Sequence, residues 1–576
     1  MCGIVGYIGK KSLITKWVDV LKKLEYRGYD SSGVAYIQNR QINVIKSVGP
    51  ICNLQSKIDA QASKMCICHT RWATHGQVNE QNAHPQLSKN RQFAVVHNGI
   101  IENYKELKTQ YSIECNSETD TEVIANLLEQ VEGNTLEKLS KVTKLLEGSY
   151  ALALIDKPGK HLYIAKYKSP LYVAKTDGGY MVASDISCFS GAEYYCLQDK
   201  MIAIISKKQV EFYKDDKLVD LKSIKNDYNI ENARLNGYKH YMQKEIDETS
   251  TVINNICTRY STIFEDLFTK DIFKNINQVY LVGCGTAFHS CQMGAIWLQN
   301  NYKIKSEAHI ASELRYSDPL IDKNSLVILV SQSGETADTL AVAHLAKQLG
   351  AKILAITNVE YSSLASVADV VFPLCAGPEI AVASTKAYSA MLAVLYILAN
   401  YKRGKSKIIE DLQKTASKLN ISVDNKIIDM VKQSKRVFFI GRGSDGVTAS
   451  EGALKLKEIA YLDACGYYAG ELKHGTIALI EPNVMVIAII TNNNLKAKTL
   501  NAVEEVLSRG ASVVVVTDDP TLQGSFDKIV LPQIDNQELK NILTVIPLQK
   551  LAYQVSCSLG YNPDKPRNLA KSVTVE

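Results

Sequence analysis

The sequence predicts an α+β sandwich over residues 1–220, followed by two duplicated α/β domains with parallel sheets over residues 265–410 and 425–555. Three observations carry this. Strand-like runs alternate with amphipathic helices in the first part. From about residue 276 the pattern becomes strand, glycine turn and helix, with wholly apolar strands, as parallel sheets covered on both faces require. The pattern then recurs: Val279–Val282 runs into Gly283-Cys284-Gly285-Thr286 and Val437–Ile440 into Gly441-Arg442-Gly443-Ser444, with Gly441 lying 158 residues beyond Gly283. Gly350–Asn358 matches Gly510–Asp518 at a spacing of 160, and two correspondences at nearly one spacing indicate a duplication.

In chain order, the first feature is Met1-Cys2-Gly3-Ile4-Val5-Gly6. Removal of Met1 gives Cys2 a thiol and a free α-amine on one carbon. That amine, with a pKa near ~8, can take the thiol's proton. Apolar strand-like runs follow at Gly33–Ile37, Cys66–His69, Phe93–His97, Tyr150–Asp156 and Leu162–Lys166, and Val123, Ile124, Leu127 and Leu128 mark a core-facing helix over about 119–131. A polar stretch from about Lys214 to Arg234 reads as a linker. Residues 221–264 are assigned to linker and leading helix, and 556–576 to a C-terminal tail.

Composition sets limits. At 576 residues, 46% hydrophobic and 22% charged, the chain is a multidomain globular protein rather than a fibre or a disordered chain. A net charge of +6, scattered rather than striped, predicts no nucleic-acid partner but suits anionic metabolites. No apolar run is long enough to cross a bilayer and no signal pattern opens the chain, so a cytoplasmic protein without membrane contact is expected. Thirteen cysteines, an odd number without framework spacing, suit reduced thiols. Cys66-Ile67-Cys68-His69, with His75, His84 and His97 downstream, has the residue types of a zinc site. Structural zinc usually takes paired ligands two to four residues apart, twice over, so no metal is expected.

Arg71-Trp72-Ala73-Thr74-His75-Gly76, His97-Asn98-Gly99 and Ser117-Glu118-Thr119-Asp120-Thr121 are polar clusters, two of them directly after apolar strands. A thiol attacking an amide needs oxyanion donors, which the Asn98 side chain and the Gly99 N–H could supply. An amino-acid substrate calls for an arginine at its carboxylate and a carboxylate at its ammonium, which Arg71 and Asp120 fit. Taken singly, Asn98-Gly99 is equally a turn and Asp120 equally a helix cap. Ser331-Gln332-Ser333-Gly334-Glu335-Thr336 stands between an apolar strand and a helical run, where hydroxyls and N–H groups can hold phosphate; hydroxyl residues also cap helices routinely. Gly283-x-Gly285 lacks the third glycine of a dinucleotide fingerprint, Phe288 occupying its place. Lys455 and Glu458, three apart, share one helix face and would otherwise be read as a surface ion pair.

Together, Met1–Gly6, Leu24–Ser31, Arg71–Gly76, His97–Glu102 and Ser117–Glu122 resemble the glutaminase domain of class II, N-terminal-nucleophile glutamine amidotransferases. The resemblance implies the hydrolase sandwich of that class. It also implies that Cys2 attacks the glutamine amide, that Asn98 and Gly99 form the oxyanion hole, that Arg71, Thr74, His75 and Asp120 hold the amino-acid end, and that Trp72 gates ammonia transfer.

The second half resembles the sugar isomerase (SIS) family of phosphosugar-binding domains, and more closely the isomerase half of the glutamine:fructose-6-phosphate aminotransferase family, through Val382–Lys386, Glu451–Glu458, Gly470–Gly475 and Pro566–Glu576. On that resemblance Thr286, Ser331, Gln332, Ser333, Thr336 and Ser384 hold the sugar phosphate. His474 opens the ring, Lys571 holds the open-chain ketone, and Glu458, with Lys455 nearby, moves a proton between C1 and C2. One departure is Ala287, where the family usually has serine, which removes a hydroxyl contact to phosphate. The implied activity takes ammonia from L-glutamine to D-fructose 6-phosphate and yields D-glucosamine 6-phosphate and L-glutamate, the entry into amino-sugar synthesis, without metal or pyridoxal phosphate, in a homodimer formed through the SIS domains. A phosphoribosyl amidotransferase would need paired acidic residues after a strand, which the Ser/Thr-rich half lacks. A catalytically dead sugar-phosphate sensor is disfavoured by Cys2, Glu458, His474 and Lys571.

Overall fold

The computed structural model describes residues 2–189, 191–225, 234–268 and 272–573. Met1, residues 226–233 of the expected linker and the last three residues of the terminal motif lie outside the described residues. The chain divides into two compact units, Met1–Asn232 with Ser572–Glu576, and Ala233–Lys571.

The first unit is two seven-stranded antiparallel sheets, face to face, each covered by helices. One sheet runs in the order Tyr194–Cys196, Tyr172–Thr176, Gly179–Ala183, Gly3–Leu13, Ala62–Arg71, Ser31–Gln38, Gln41–Val48. The other runs Lys217–Val219, Val210–Lys214, Met201–Ile205, Leu162–Tyr167, Gly148–Asp156, Phe93–Ile101, Gln86–Leu87. Alternation along each strand sorts the side chains into layers. Ile4, Met65, Ile67, Ala94 and Val96 pack between the sheets. Val5, Cys66 and Cys68 face outward onto helix Ile14–Lys22, and Phe93 and Val95 onto helix Asp120–Gln130. Cys66 and Cys68 therefore point away from the His69 side of their strand and cannot share a ligand set with it.

The stretch expected to open the linker is still sheet. Asp215 and Asp216 both have left-handed φ, 50° and 61°, and close a two-residue hairpin with Lys214 opposite Lys217. Such a turn matches strand twist, so a charged tetrapeptide that reads as linker is a tight turn.

The second unit contains two five-stranded parallel sheets of identical topology. The first runs Lys305–Ile310, Gln278–Gly283, Ser325–Ser331, Lys352–Thr357, Val370–Pro373, and the second Ala464–Tyr468, Arg436–Gly441, Val484–Ile490, Ser512–Thr517, Asp527–Val530. The duplication extends to dihedral angles: helices Thr286–Tyr302 and Ser444–Ala460 are both 17 residues long and start at glycines with φ 53° and 59°. One core serves both sheets, joining Val279 and Leu281 to Val437 and Phe439. At its centre helix Lys386–Asn400 is buried along all 15 residues, which its apolar circumference requires, each buried Leu or Ile contributing about 1.5–3 kcal/mol. In both sheets the chain leaves the first strand toward one edge and the third toward the other. The crevice at their C-terminal ends is where open α/β sheets receive ligands. No helix of the described residues is long and apolar enough to cross a membrane.

Candidate active sites

In the first unit the inward-facing rows end in polar residues. Continuing the row of Ile4 backwards gives Cys2; the row of Met65 and Ile67 continues to His69 and Arg71, and that of Ala94 and Val96 to Asn98. These side chains meet at one end of the sandwich. Cys2 Sγ accepts the Trp72 N–H at 3.3 Å and lies 3.6 Å from the Trp72 carbonyl. Burial raises the thiol pKa above its ordinary value, while the Trp72 N–H and the Arg71 charge act in the opposite direction, so proton removal by a neighbouring base is required for attack.

Asn98 Nδ2 donates to the Cys2 carbonyl at 3.0 Å, which places the amide beside the nucleophile. Gly99 has φ 140°, and a Cβ there would lie 2.0 Å from the Ser149 carbonyl oxygen; only glycine permits this strand to approach its neighbour. Arg71 is buried, 2% exposed. Its guanidinium donates to the carbonyls of His75, Gly76 and Gln77. Among the described residues it forms no ion pair, so its charge remains for a substrate carboxylate.

Asp120 opens helix Asp120–Gln130, and its carboxylate accepts the Ile101 N–H at 2.9 Å. Thr74 is exposed; its hydroxyl lies 3.4 Å from His75 Nδ1, and the His75 ring packs edge-on against Tyr104. Trp72 stands edge-on to Tyr29, ring centroids 6.0 Å apart, and Asp30 fixes the loop by accepting the Ala73 N–H at 2.9 Å.

In the second unit three groups of expected residues form. The loop after the third strand closes on itself: the Ser331 hydroxyl lies 3.0 Å from that of Thr336 and accepts the Gly334 N–H at 3.1 Å, with Gln332 and Ser333 half-buried beside them. Thr336 precedes helix Ala337–Gln348 without capping it through its side chain, which leaves first-turn N–H groups for an anion.

The second group joins the two repeats. Lys455, completely buried, donates to Glu458 at 2.6 Å and to the Thr286 hydroxyl at 2.9 Å. The Thr286 hydroxyl in turn donates to Glu451 at 3.1 Å, and Glu451 also pairs with His289 at 2.7 Å. A surface ion pair is excluded for Lys455 and Glu458. Burial would lower the lysine pKa, yet Glu458 and Glu451 outweigh it and raise it, as a buried cation requires.

The third group contains the tail. Lys571 Nζ donates to Glu379 at 2.5 Å and to the Ala381 carbonyl at 2.8 Å. Ser384 donates to the same Glu379 oxygen, and the Thr385 and Ala387 N–H groups to the other. Burial alone would raise the Glu379 pKa; Lys571 and these N–H groups reverse the shift and hold it low. Glu245 lies close by, its pKa pushed up to about 8 by burial and by Glu379. The C-terminal tail is thus anchored at its lysine. His474 stands apart, exposed on the short turn Glu471–His474.

Sequence reasoning assigned no role to Glu379, Glu451 or Glu245. Glu379 is a lone carboxylate just before the apolar run Ile380–Ala383, and Glu451 lies four residues before Lys455, on the same helix face. Both were visible as charges in apolar surroundings, the signature of a buried partner.

Known proteins share this architecture and these motifs. The SIS domain family matches residues 272–401 and 430–558, and the glutamine amidotransferase domain family matches residues 69–191. The chain is 41% identical to glutamine–fructose-6-phosphate aminotransferase (isomerizing) of Clostridium acetobutylicum, over 100% of both chains. It is 42% identical to the enzymes of that name from Caldanaerobacter subterraneus and Bacillus subtilis, again over 100% of both chains. The C-terminal domain of glucosamine-fructose-6-phosphate aminotransferase from Francisella tularensis superposes with a TM-score of 0.55 at 32% identity, covering 58% of this chain and 100% of that one. Tagatose-6-phosphate ketose/aldose isomerase from Escherichia coli shares the fold at a TM-score of 0.51 and 18% identity, covering 58% and 96%. An amidotransferase sandwich, a duplicated SIS half and full-length identity above 40% agree: the chain belongs to the isomerizing glutamine–fructose-6-phosphate aminotransferase family.

Proposed function

We propose that each unit performs one half of a glutamine-dependent synthesis of D-glucosamine 6-phosphate from D-fructose 6-phosphate. In the first unit the Cys2 α-amine accepts the thiol proton and sulfur attacks the glutamine side-chain carbonyl. The oxygen takes the displaced electron pair between the Asn98 amide and the Gly99 N–H. Collapse expels ammonia and leaves a thioester, which water hydrolyses to glutamate. Arg71 takes the α-carboxylate and Asp120 the α-ammonium, with Thr74 and His75 beside them and Trp72 at the exit for ammonia.

In the second unit the Ser331–Thr336 loop, with Thr286 and Ser384, holds the phosphosugar. Lys571, docked on Glu379, condenses with the open-chain ketone at C2 and loses water. Ammonia displaces the lysine, and Glu458 moves a proton from C1 to C2, with Lys455 holding the carboxylate in place; the C5 hydroxyl then adds to the resulting C1 aldehyde and closes the ring. The observation that carries this reading is the meeting of Cys2, Arg71 and Asn98 in one unit and of Lys455 with Glu458 in the other.

A homodimer formed through the SIS half belongs to the same reading. His474 is exposed, and a ring-opening acid/base works best in an enclosed site, which a second copy can provide. Thirteen cysteines, an odd number without framework spacing, favour a cytoplasmic setting. Incubation with glutamine and fructose 6-phosphate, followed by mass spectrometry, is expected to give glucosamine 6-phosphate and glutamate in equal amounts. Glutamate without amino sugar would overturn the assignment of the second unit.

A further inference from the structure

The buried histidine behind the nucleophile has no role in the chemistry so far. His69 lies in strand Ala62–Arg71, two residues before Arg71, and is 0% exposed. Its Nε2 lies 3.0 Å from the His97 carbonyl and 3.2 Å from Asn98 Oδ1. A carbonyl oxygen only accepts, so Nε2 must carry the proton. Nδ1 is buried without a hydrogen-bond partner. One neutral tautomer satisfies both facts, and burial, with Arg71 and His97 nearby, pushes the His69 pKa down to about 3.

The orientation of Asn98 depends on this donor. An amide group is nearly symmetric in shape, so its neighbours' hydrogen bonds decide which end is nitrogen. The Cys2 carbonyl accepts from Nδ2 on one side, and the His69 N–H meets Oδ1 on the other. Both contacts specify the same orientation, which leaves the second Nδ2 hydrogen for the oxyanion.

We infer that His69 is a positioning residue for glutamine hydrolysis: it donates to Asn98 Oδ1 and so holds the amide N–H at the developing oxyanion. This rests on the reading of Asn98 as an oxyanion donor. His69 touches neither substrate nor sulfur. Its effect is confined to the transition state, because the glutamine carboxylate and ammonium are held by other residues.

The test uses the full-length protein and separates kcat from KM for glutamine hydrolysis. His69→Phe keeps a ring and removes the donor; kcat is expected to fall roughly 10- to 100-fold, short of the ~10²–10³-fold loss for deleting an oxyanion donor outright. KM for glutamine should stay within about twofold, since uniform binding is untouched. His69→Gln places an amide N–H near the position of Nε2 and should restore most of the rate. His69→Asn offers the same chemistry one carbon short and should not. This Gln–Asn pair decides the matter even if the Phe variant does not fold.

Coupling to Asn98 gives the second readout: a His69 variant that also carries Asn98→Ala should hydrolyse glutamine no more slowly than Asn98→Ala alone. Equal losses in the Gln and Asn variants, or full additivity with Asn98→Ala, would overturn the positioning role. Unimpaired hydrolysis in Asn98→Ala would instead remove the oxyanion reading beneath it.

Discussion

The two parallel sheets of the second unit share topology, the length of their first helices and the glycine conformation that starts them, yet the crevices at their strand ends differ. In the first repeat the loop after the third strand reads Ser331-Gln332-Ser333-Gly334-Glu335-Thr336; the aligned segment of the second is Ile490-Thr491-Asn492-Asn493-Asn494-Leu495. Hydroxyls at both ends have become apolar side chains. Position 287 is alanine, whereas its counterpart 158 residues on is Asp445. That carboxylate fills the second crevice, accepting the Thr491 hydroxyl at 2.6 Å and the Thr491 and Asn492 N–H groups at 2.9 and 3.2 Å. By the 159-residue spacing of the third strands, these backbone donors correspond to the N–H groups of Gln332 and Ser333 in the loop proposed to hold phosphate. On the proposed function, an internal anion stands where the first repeat takes an external one. On that reading one copy of the duplicated fold supplies the binding crevice, and the other contributes the helix carrying Glu451, Lys455 and Glu458.

If this division holds, variants in the two repeats should fail differently. The largest effect is expected at the tail: Lys571→Ala should lower amino-sugar formation at least about 10³-fold, because the covalent step is lost, while glutamine hydrolysis persists. Glu458→Gln, in the second repeat, should lower synthase kcat on the order of 10²–10⁴-fold, the range for a general base, with little change in KM for fructose 6-phosphate. Ser331→Ala with Thr336→Ala, in the first repeat, should do the reverse. Loss of two hydrogen bonds to a charged phosphate, about 1.5–3 kcal/mol each, should raise that KM at least about 100-fold with kcat little changed. The smallest effect is expected at the plug. Asp445→Ala leaves the buried Thr491 N–H and the half-buried Asn492 N–H without their acceptor and should cost roughly 1–3 kcal/mol of stability in a denaturant titration, without altering KM. A rise in KM in Asp445→Ala would show that both crevices bind the substrate.

The two repeats also show what a sequence exposes. Their strands were legible because parallel strands buried on both faces are apolar throughout, as in Leu326–Val330 and Val513–Val516. The first unit was harder to read. Strands such as Tyr172–Thr176, Val210–Lys214 and Lys217–Val219 are short, carry Lys among few apolar residues and resemble loops. Cys2, Arg71, Asn98 and the Lys455–Glu458 pair were legible as motifs. Their partners were not. Lys571 meets Glu379 across 192 residues, and Thr286 meets Glu451 across 165; no periodicity encodes such contacts. His69 was visible as a histidine beside two cysteines, which points toward metal, and only the pleat shows that the thiols face the other way.

The separation of the two half-reactions is tested most directly by Cys2→Ala and Lys571→Ala assayed side by side for glutamine hydrolysis and for conversion of fructose 6-phosphate. Cys2→Ala is expected to release no glutamate while still isomerising the sugar phosphate, and Lys571→Ala to release glutamate while leaving the sugar phosphate unchanged. Loss of both activities in both correctly folded variants would contradict the account.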